Sequence, residues 1–165
     1  MRETLFNWLA PVIEGARCLD PFAGTGALGL EAASRGAGPV VLIERSEPVV
    51  RQLRDNMRLL RAGGVQVVQA DALRWLDDPA RSADLGPIDL VFLDPPYAAG
   101  LLGPACELLA LHHWLSAGAR VYLETALASG FPPLPDGWTL IHDRTAGQVR
   151  FGLALAGPGG DTADH

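Results

Sequence analysis

The chain is organised around one stretch, Asp20-Pro21-Phe22-Ala23-Gly24-Thr25-Gly26. An apolar run over 16–19 precedes it, and a segment rich in alanine and leucine follows it over 27–35. This pattern predicts a strand, a tight glycine turn and a helix, with an acid at the end of the strand. Because ligands of open α/β sheets bind at the carboxyl ends of strands, we expect a binding site at this turn.

Three glycines of this region, Gly24, Gly26 and Gly29, match the G-x-G-x-x-G pattern of dinucleotide-binding turns. The acid ahead of them argues against that ligand, because Asp20 would repel a pyrophosphate. S-adenosylmethionine carries a sulfonium and an ammonium and no phosphate, so a carboxylate favours it. We therefore expect S-adenosylmethionine rather than NAD as the cofactor. An Asp20 that only caps the turn is the structural alternative.

The composition limits the class of protein. The chain has 165 residues, 48% of them hydrophobic, which predicts a globular domain with a sizeable core. We expect no membrane span and no signal peptide, because no apolar run is long enough. Cys18 and Cys106 follow no disulfide or metal pattern, so we expect a cytoplasmic protein without a metal.

The charge bears on possible partners. The net charge is −6, and all 13 basic residues are arginine. This argues against nucleic-acid binding driven by bulk charge. Arg51, Arg54, Arg58 and Arg61 share one face of a predicted helix, either as a local basic patch or as an ordinary solvated face.

Apolar runs alternate with helical patterns along the chain. Strands are predicted over 16–19, 40–44, 65–69, 88–93, 119–124, 138–143 and 149–155. Helices are predicted over 2–9, 26–35, 46–61, 73–76 and 101–114, with loops over 77–87 and 130–137. This order predicts an α/β fold, a doubly wound and mostly parallel sheet of seven strands that ends in an antiparallel hairpin, as in Rossmann-like class I methyltransferases. We assign 1–156 to one domain and expect a disordered tail over 157–165.

Two further acids follow predicted strands. Glu44 comes twenty residues after Gly24, at the end of the second strand, which suits an acceptor for ribose hydroxyls. NAD and S-adenosylmethionine both have that ribose, so Glu44 does not separate them. Asp71 follows the third strand and is expected to accept a hydrogen bond from an adenine amino group, to cap the next helical turn, or to do both.

The stretch Asp94-Pro95-Pro96-Tyr97 follows the fourth strand. Proline has no N–H, so this loop offers carbonyl oxygens and few donors, and Asp94 adds a carboxylate acceptor. Two acceptors suit an exocyclic NH2 group, because they would favour a pyramidal nitrogen with its lone pair aimed at a methyl group. Tyr97 offers a flat ring on which a base can stack. A proline-stiffened turn without chemistry is the alternative interpretation.

These motifs resemble those of class I amino-methyltransferases, and further stretches resemble one family. That family is the RsmD-type 16S ribosomal RNA guanine-N2 methyltransferases. The stretches that carry the resemblance are RETLFNWL at 2–9, GALGLEA at 26–32, VFLDPPY at 91–97 and AGQV at 146–149. The resemblance covers about residues 1 to 156.

The resemblance implies a role for each residue of the two motifs. The residues expected to wrap the methionine end of the cofactor are Asp20, Phe22, Ala23, Gly24 and Gly26. Glu44 is expected to hold the ribose, and Asp71 and Ala72 the adenine. The residues expected to hold the guanine are Asp94, Pro95, Pro96 and Tyr97. In that family a basic stretch precedes the first helix and helps to grip RNA, and this sequence begins without it, so we expect weak binding of naked RNA.

The resemblance thus implies a methyltransferase that modifies N2 of a guanine in 16S ribosomal RNA. We expect its substrate to lie within an assembling or assembled 30S subunit, and we expect the protein to act as a monomer. Three alternatives remain. The first is an amino-methyltransferase that acts on adenine N6 of DNA or on a protein glutamine. The second is a non-catalytic RNA-binding assembly protein, which Asp94 and Tyr97 disfavour. The third is an NAD oxidoreductase, which Asp20 disfavours.

Overall fold

The computed structural model describes residues 1–96 and 100–157. A sheet of seven strands runs through it in the order β3-β2-β1-β4-β5-β7-β6. The strands are β1 Cys18–Asp20, β2 Val40–Glu44, β3 Val65–Gln69, β4 Ile88–Leu93, β5 Leu115–Ala126, β6 Thr139–Ala146 and β7 Val149–Leu155. The helices are α1 Arg2–Leu9, α2 Ala27–Ser34, α3 Glu47–Leu60, α4 Ala72–Leu76, α5 Pro79–Leu85 and α6 Leu102–Leu111.

The first five strands are parallel to one another. Leu19 of β1 pairs with Val41 of β2 on one side and with Val91 of β4 on the other. The chain first adds strands outward from β1 to β3 and then restarts at β4, so the strand order reverses between β1 and β4. Crevices at such reversal points are where doubly wound sheets bind their ligands.

The last two strands form the predicted antiparallel hairpin. Ala146 pairs with Val149, so a loop of two residues joins β6 to β7. Gly147 lies at φ +59°, a left-handed conformation that short hairpin loops need and glycine adopts freely. β7 inserts between β5 and β6 and runs antiparallel to both. The predicted fold class, mostly parallel with a C-terminal hairpin, is confirmed.

Helices cover both faces of the sheet, which explains why the central strands are nearly all apolar. Successive side chains of β2 show the division: Val40 and Leu42 belong to the core beneath α1, α2 and α3. Val41 and Ile43 belong to the opposite core, beneath α4 and α6. None of the helices in the described ranges combines the length and the apolar character that a membrane span requires.

The loop predicted over 77–87 is wrong, because α5 occupies most of it. Asp78 is the N-cap of this helix and accepts a hydrogen bond from the backbone N–H of Ala80 at 3.0 Å. Pro79 follows at the first helical position, where its fixed φ is favourable and its missing N–H costs nothing. Within this polar stretch, which was predicted as a loop, the pair Asp78-Pro79 is therefore the start signal of a helix.

Two boundaries near Trp114 also differ from prediction. α6 ends at Leu111 rather than at Trp114, and β5 begins at Leu115 rather than at 119. His113 adopts φ +54° and turns the chain between them. Trp114 is fully buried, stacks on Trp75 with ring centroids 5.0 Å apart, and donates its indole N–H to the carbonyl of Leu76 at 2.9 Å. Because Trp114 makes these contacts with α4, it lies outside α6.

Candidate active site

Acids gather at the carboxyl ends of the five parallel strands. Asp20 ends β1, Glu44 ends β2, and Asp71 follows β3 by two residues. Asp94 directly follows β4, and Glu124 lies near the end of β5. The sequence predicted the first four of these, and the parallel topology brings all five to one edge of the sheet.

A cavity of about 620 Å³ opens at this edge, beside the reversal point between β1 and β4. We call it the first cavity. The predicted residues that line it are Phe22, Gly24, Glu44, Asp71, Ala72, Asp94, Pro95 and Pro96. It is also lined by residues that were not predicted, Pro21, Arg45, Ala70, Leu73 and Leu101. Most of these immediately follow or precede a predicted site residue, so the predicted motifs mark where the cavity lies but not its full wall.

Three predicted cofactor residues lie behind this wall rather than in it. The Asp20 carboxylate is 2% exposed and accepts a hydrogen bond from the backbone N–H of Phe22 at 3.3 Å. The N–H of Ala23 donates to the carbonyl of Ile43 at 2.9 Å and joins the turn to β2. Gly26 is the N-cap of α2 at φ +83°, and a Cβ there would lie 2.5 Å from a methyl of Leu53. All three shape the turn, and direct contact with a cofactor stays a prediction for them.

Glu44 ties the glycine turn to the second strand. One carboxylate oxygen accepts the N–H of Gly24 at 3.1 Å, and the other accepts the N–H of Ser46 at 3.0 Å. Each oxygen has a second lone pair, so Glu44 can accept further hydrogen bonds from a ligand in the first cavity. The role that the structure gives it, holding Gly24 in place, was not foreseen from the sequence.

Asp71 caps the short helix α4. Its carboxylate accepts the backbone N–H of Arg74 at 3.1 Å, as an N-cap residue does. The capping role that the sequence left open is therefore confirmed. Because Asp71 and Ala72 also line the first cavity, the adenine role stays a prediction beside it.

Two of the acids at this edge, Asp20 and Asp94, are poorly solvated. Burial raises the pKa of Asp20 from 3.8 to about 7; the Phe22 N–H opposes this rise, and the charges of Asp94 and Glu44 add to it. Burial likewise raises the pKa of Asp94 to about 7, together with the charge of Glu124 and a hydrogen bond to it. A bound cation would relieve these unfavourable charges, whereas a phosphate would increase them.

A second cavity of about 350 Å³ adjoins the first. Pro95, Pro96 and Leu101 line both, so the loop after β4 forms a wall between them. Glu124 of β5 lines only the second cavity of these two. Glu124 was not predicted as a site residue, although it is also an acid near the end of a parallel strand, as Asp20 and Glu44 are.

Tyr97, which was predicted to stack on the target base, lies outside the described residues. So does the predicted tail from residue 158 onward. Within 1–96 and 100–157 the structure contains no cluster of histidine, cysteine and acidic side chains that could bind a metal ion.

The arginine face of α3 is exposed and partly neutralised. Arg51 pairs with Glu47 at 3.8 Å, and Arg58 pairs with Asp55, both on the same helix. All four of these side chains are more than half exposed. Ion pairs within one turn of a helix favour the ordinary solvated face over a dedicated basic patch.

The strand order, the antiparallel β7 and the cavity at the strand ends define a class I methyltransferase fold. The chain matches the family described as Conserved hypothetical protein 95 over residues 1–154. It belongs to this family, the RsmD family of ribosomal RNA small subunit methyltransferases.

Similar proteins support this assignment. The ribosomal RNA small subunit methyltransferase D of Escherichia coli K12 is 45% identical over 153 residues, which cover 93% of this chain and 75% of that protein. The protein of the same name from Haemophilus influenzae is 40% identical, covering 93% of this chain and 78% of that protein. The solved structure of yhhF from Escherichia coli superimposes with a TM-score of 0.88 at 44% identity, covering 95% of this chain and 85% of that one.

Proposed function

We propose that this protein transfers a methyl group from S-adenosylmethionine to the N2 amine of a guanine in 16S ribosomal RNA. The proposal rests on one observation. The Asp94-Pro95-Pro96 loop stands between two adjoining cavities, with Asp94 lining the first and Pro95 and Pro96 lining both. A methyl donor in the first cavity and an amine in the second would meet at this loop.

The residues of the first cavity fit S-adenosylmethionine. The acids Glu44, Asp71 and Asp94 line it, and Asp20 lies buried behind it. This surplus of acids suits a cation and disfavours the pyrophosphate of NAD. Glu44 at the end of β2 would accept ribose hydroxyls, and Asp71, two residues after β3, would accept an adenine amine. About 620 Å³ lies within the range of cavities that hold ligands of this size.

The loop after β4 would prepare the amine for attack. A guanine amine is a poor nucleophile because its lone pair is delocalised into the ring. Asp94 and the carbonyl of Pro95 would accept its two hydrogens and favour a pyramidal nitrogen whose lone pair faces the first cavity. When bound, the cofactor would supply the methyl group, and the bond from carbon to the positive sulfur would break as the bond to nitrogen formed. Asp94 would then receive the proton that the nitrogen loses, and orientation would supply most of the rate enhancement.

The substrate assignment rests on the family. The relatives are named as small subunit ribosomal RNA methyltransferases, which favours RNA over DNA adenine or a protein glutamine. The target base would have to leave its stack and enter the pocket. The net charge of −6 and the paired arginines of α3 give little general attraction to phosphate. We therefore propose that a surface shaped by ribosomal proteins, in an assembling or assembled 30S particle, presents the guanine.

The test compares initial rates on two substrates at matched salt. Undermethylated 30S particles and the same RNA stripped of protein are each incubated with methyl-labelled cofactor, and the RNA is digested to nucleosides. We expect N2-methylguanosine, formed much faster on the particles. A different methylated nucleoside would overturn the proposed reaction. Equal rates, or a preference for naked RNA, would overturn only the proposed substrate form.

A further inference from the structure

The second cavity has the size of a small-ligand site and an acid in its wall. Its volume of about 350 Å³ lies at the lower end of the range for such sites, roughly 300–1,000 Å³. Glu124 lines it from β5, and the loop that begins at Asp94 separates it from the first cavity. A base that presents its amine to Asp94 from this side would bring its next ring atom toward Glu124.

Neighbouring side chains fix the position of the Glu124 carboxylate. It is 9% exposed, and one oxygen accepts the hydroxyl of Tyr122 at 2.6 Å. Tyr122 is itself buried, with its ring edge-on to Phe92 at 6.5 Å between centroids. Leu93 pairs with Leu123 in the register of β4 and β5, so Asp94 and Glu124 are neighbours at the ends of adjacent strands. Two ionised carboxylates side by side present only acceptors, which suits a ligand edge that carries two adjacent donors.

We propose that Glu124 selects guanine, by accepting the N1–H of the target base while Asp94 accepts its N2 amine. This proposal rests on the proposed function. Guanine carries two adjacent donors on its Watson–Crick edge, the N1–H and the N2 amine. Adenine and cytosine instead carry a ring-nitrogen acceptor beside their amine, and a carboxylate would repel it. Two neighbouring carboxyls therefore match guanine alone among bases that have an exocyclic amine.

A single-atom change in the base tests this assignment. The target guanosine, first located by mapping the wild-type product, is replaced by 2-aminopurine riboside in 30S particles rebuilt with ligated RNA. 2-Aminopurine keeps the 2-amino group, but its N1 has no hydrogen and its C6 has no oxygen. The missing oxygen affects all three enzymes alike, so the difference between the wild type and Glu124→Gln reports on N1. Initial rates on both particles are measured for the wild type, for Glu124→Gln and for Glu107→Gln. Glu107 is an exposed residue of α6 that lines neither cavity, so its variant is the matched control.

We expect the wild type and the control variant to prefer guanine roughly 10- to 100-fold, the range of one well-placed base contact. In Glu124→Gln the amide can donate to the bare N1, so the preference should fall at least tenfold or reverse. Binding of S-adenosylhomocysteine, measured by calorimetry, should stay within threefold of wild type and show that the first cavity is intact. An unchanged preference in Glu124→Gln would overturn the role of Glu124. A wild type that makes no N2-methylguanosine on guanine particles would instead overturn the proposed function, and this inference with it.

Discussion

Replacing Asp20 by asparagine should stabilise the protein at alkaline pH. Asp20 is 2% exposed, and burial raises its pKa from 3.8 to about 7. This rise corresponds to a free-energy cost on the order of 4 kcal/mol for the ionised form in the folded state. Asparagine is neutral at every pH and keeps an oxygen for the Phe22 N–H. The variant should therefore avoid the free-energy cost of the buried charge and keep the hydrogen bond from Phe22.

The sign of the pH effect follows from the direction of the shift. Since the folded pKa is raised, Asp20 contributes stability that is fully present below pH 3.8 and is lost as the pH rises through about 7. Between pH 5 and pH 8.5 the wild type should thus lose about 3 kcal/mol more of its unfolding free energy than Asp20→Asn. Urea unfolding at the two pH values measures this difference. Asp84→Asn, at an exposed position of α5, is the control and should follow the wild type.

The same variant separates stability from function. A carboxylate kept at such a cost in stability is expected to serve the cationic part of the cofactor, so Asp20→Asn should bind S-adenosylmethionine at least tenfold more weakly at pH 8.5. Calorimetry measures this affinity. A variant with the pH dependence of the wild type would refute the argument from burial. Wild-type cofactor affinity would remove Asp20 from the cofactor site.

Three further results are expected. Asp94→Ala should lower kcat roughly 100- to 1,000-fold, the cost of losing one transition-state hydrogen bond, and leave S-adenosylhomocysteine affinity within threefold; wild-type turnover would remove Asp94 from the mechanism. Gly26→Ala should lower the Tm by roughly 4–8 °C, because a left-handed φ and the nearby Leu53 together cost about 2 kcal/mol of stability. The control Gly63→Ala has open space around the new Cβ, so its Tm should change little. Equal melting temperatures of the two variants would contradict the strain argument. S-adenosylhomocysteine at a hundred times its Kd should add about 2.7 kcal/mol of stability, and NAD none; stabilisation by NAD alone would reverse the cofactor assignment.

Much of the fold follows from local patterns. β2, β3, β4 and β7 occur where apolar runs predicted them, and α1 spans the predicted residues. The start of α5 was also present in the sequence, as an Asp-Pro pair at its N-terminus, but the same pair is frequent in loops. The end of α6 was not predictable locally, because Trp114 leaves the helix to pack on Trp75 and Leu76. Only the packed structure contains that contact.

The candidate site, like the fold, has features that the sequence predicts and features that it does not. The acids that follow strands could be predicted because parallel strands end at one edge, and Asp94 and Glu44 accordingly line the first cavity. The hydrogen-bond partners of these acids could not be predicted. The bonds from Gly24 and Ser46 to Glu44 depend on how the turn folds back on β2. Glu124 is a site candidate because it lies next to Asp94, on the neighbouring strand of the sheet. Only the strand order of the folded sheet brings these two acids together.

The most direct test of the central claim is the identity of the methylated atom. Undermethylated 30S particles are incubated to completion with methyl-labelled S-adenosylmethionine and either the wild type or Asp94→Ala, and the products are digested and separated. We expect label in N2-methylguanosine, at no more than one methyl group per particle, with the wild type and almost none with the variant in the same time. Label in N6-methyladenosine or in protein, or no transfer by the wild type, would contradict it.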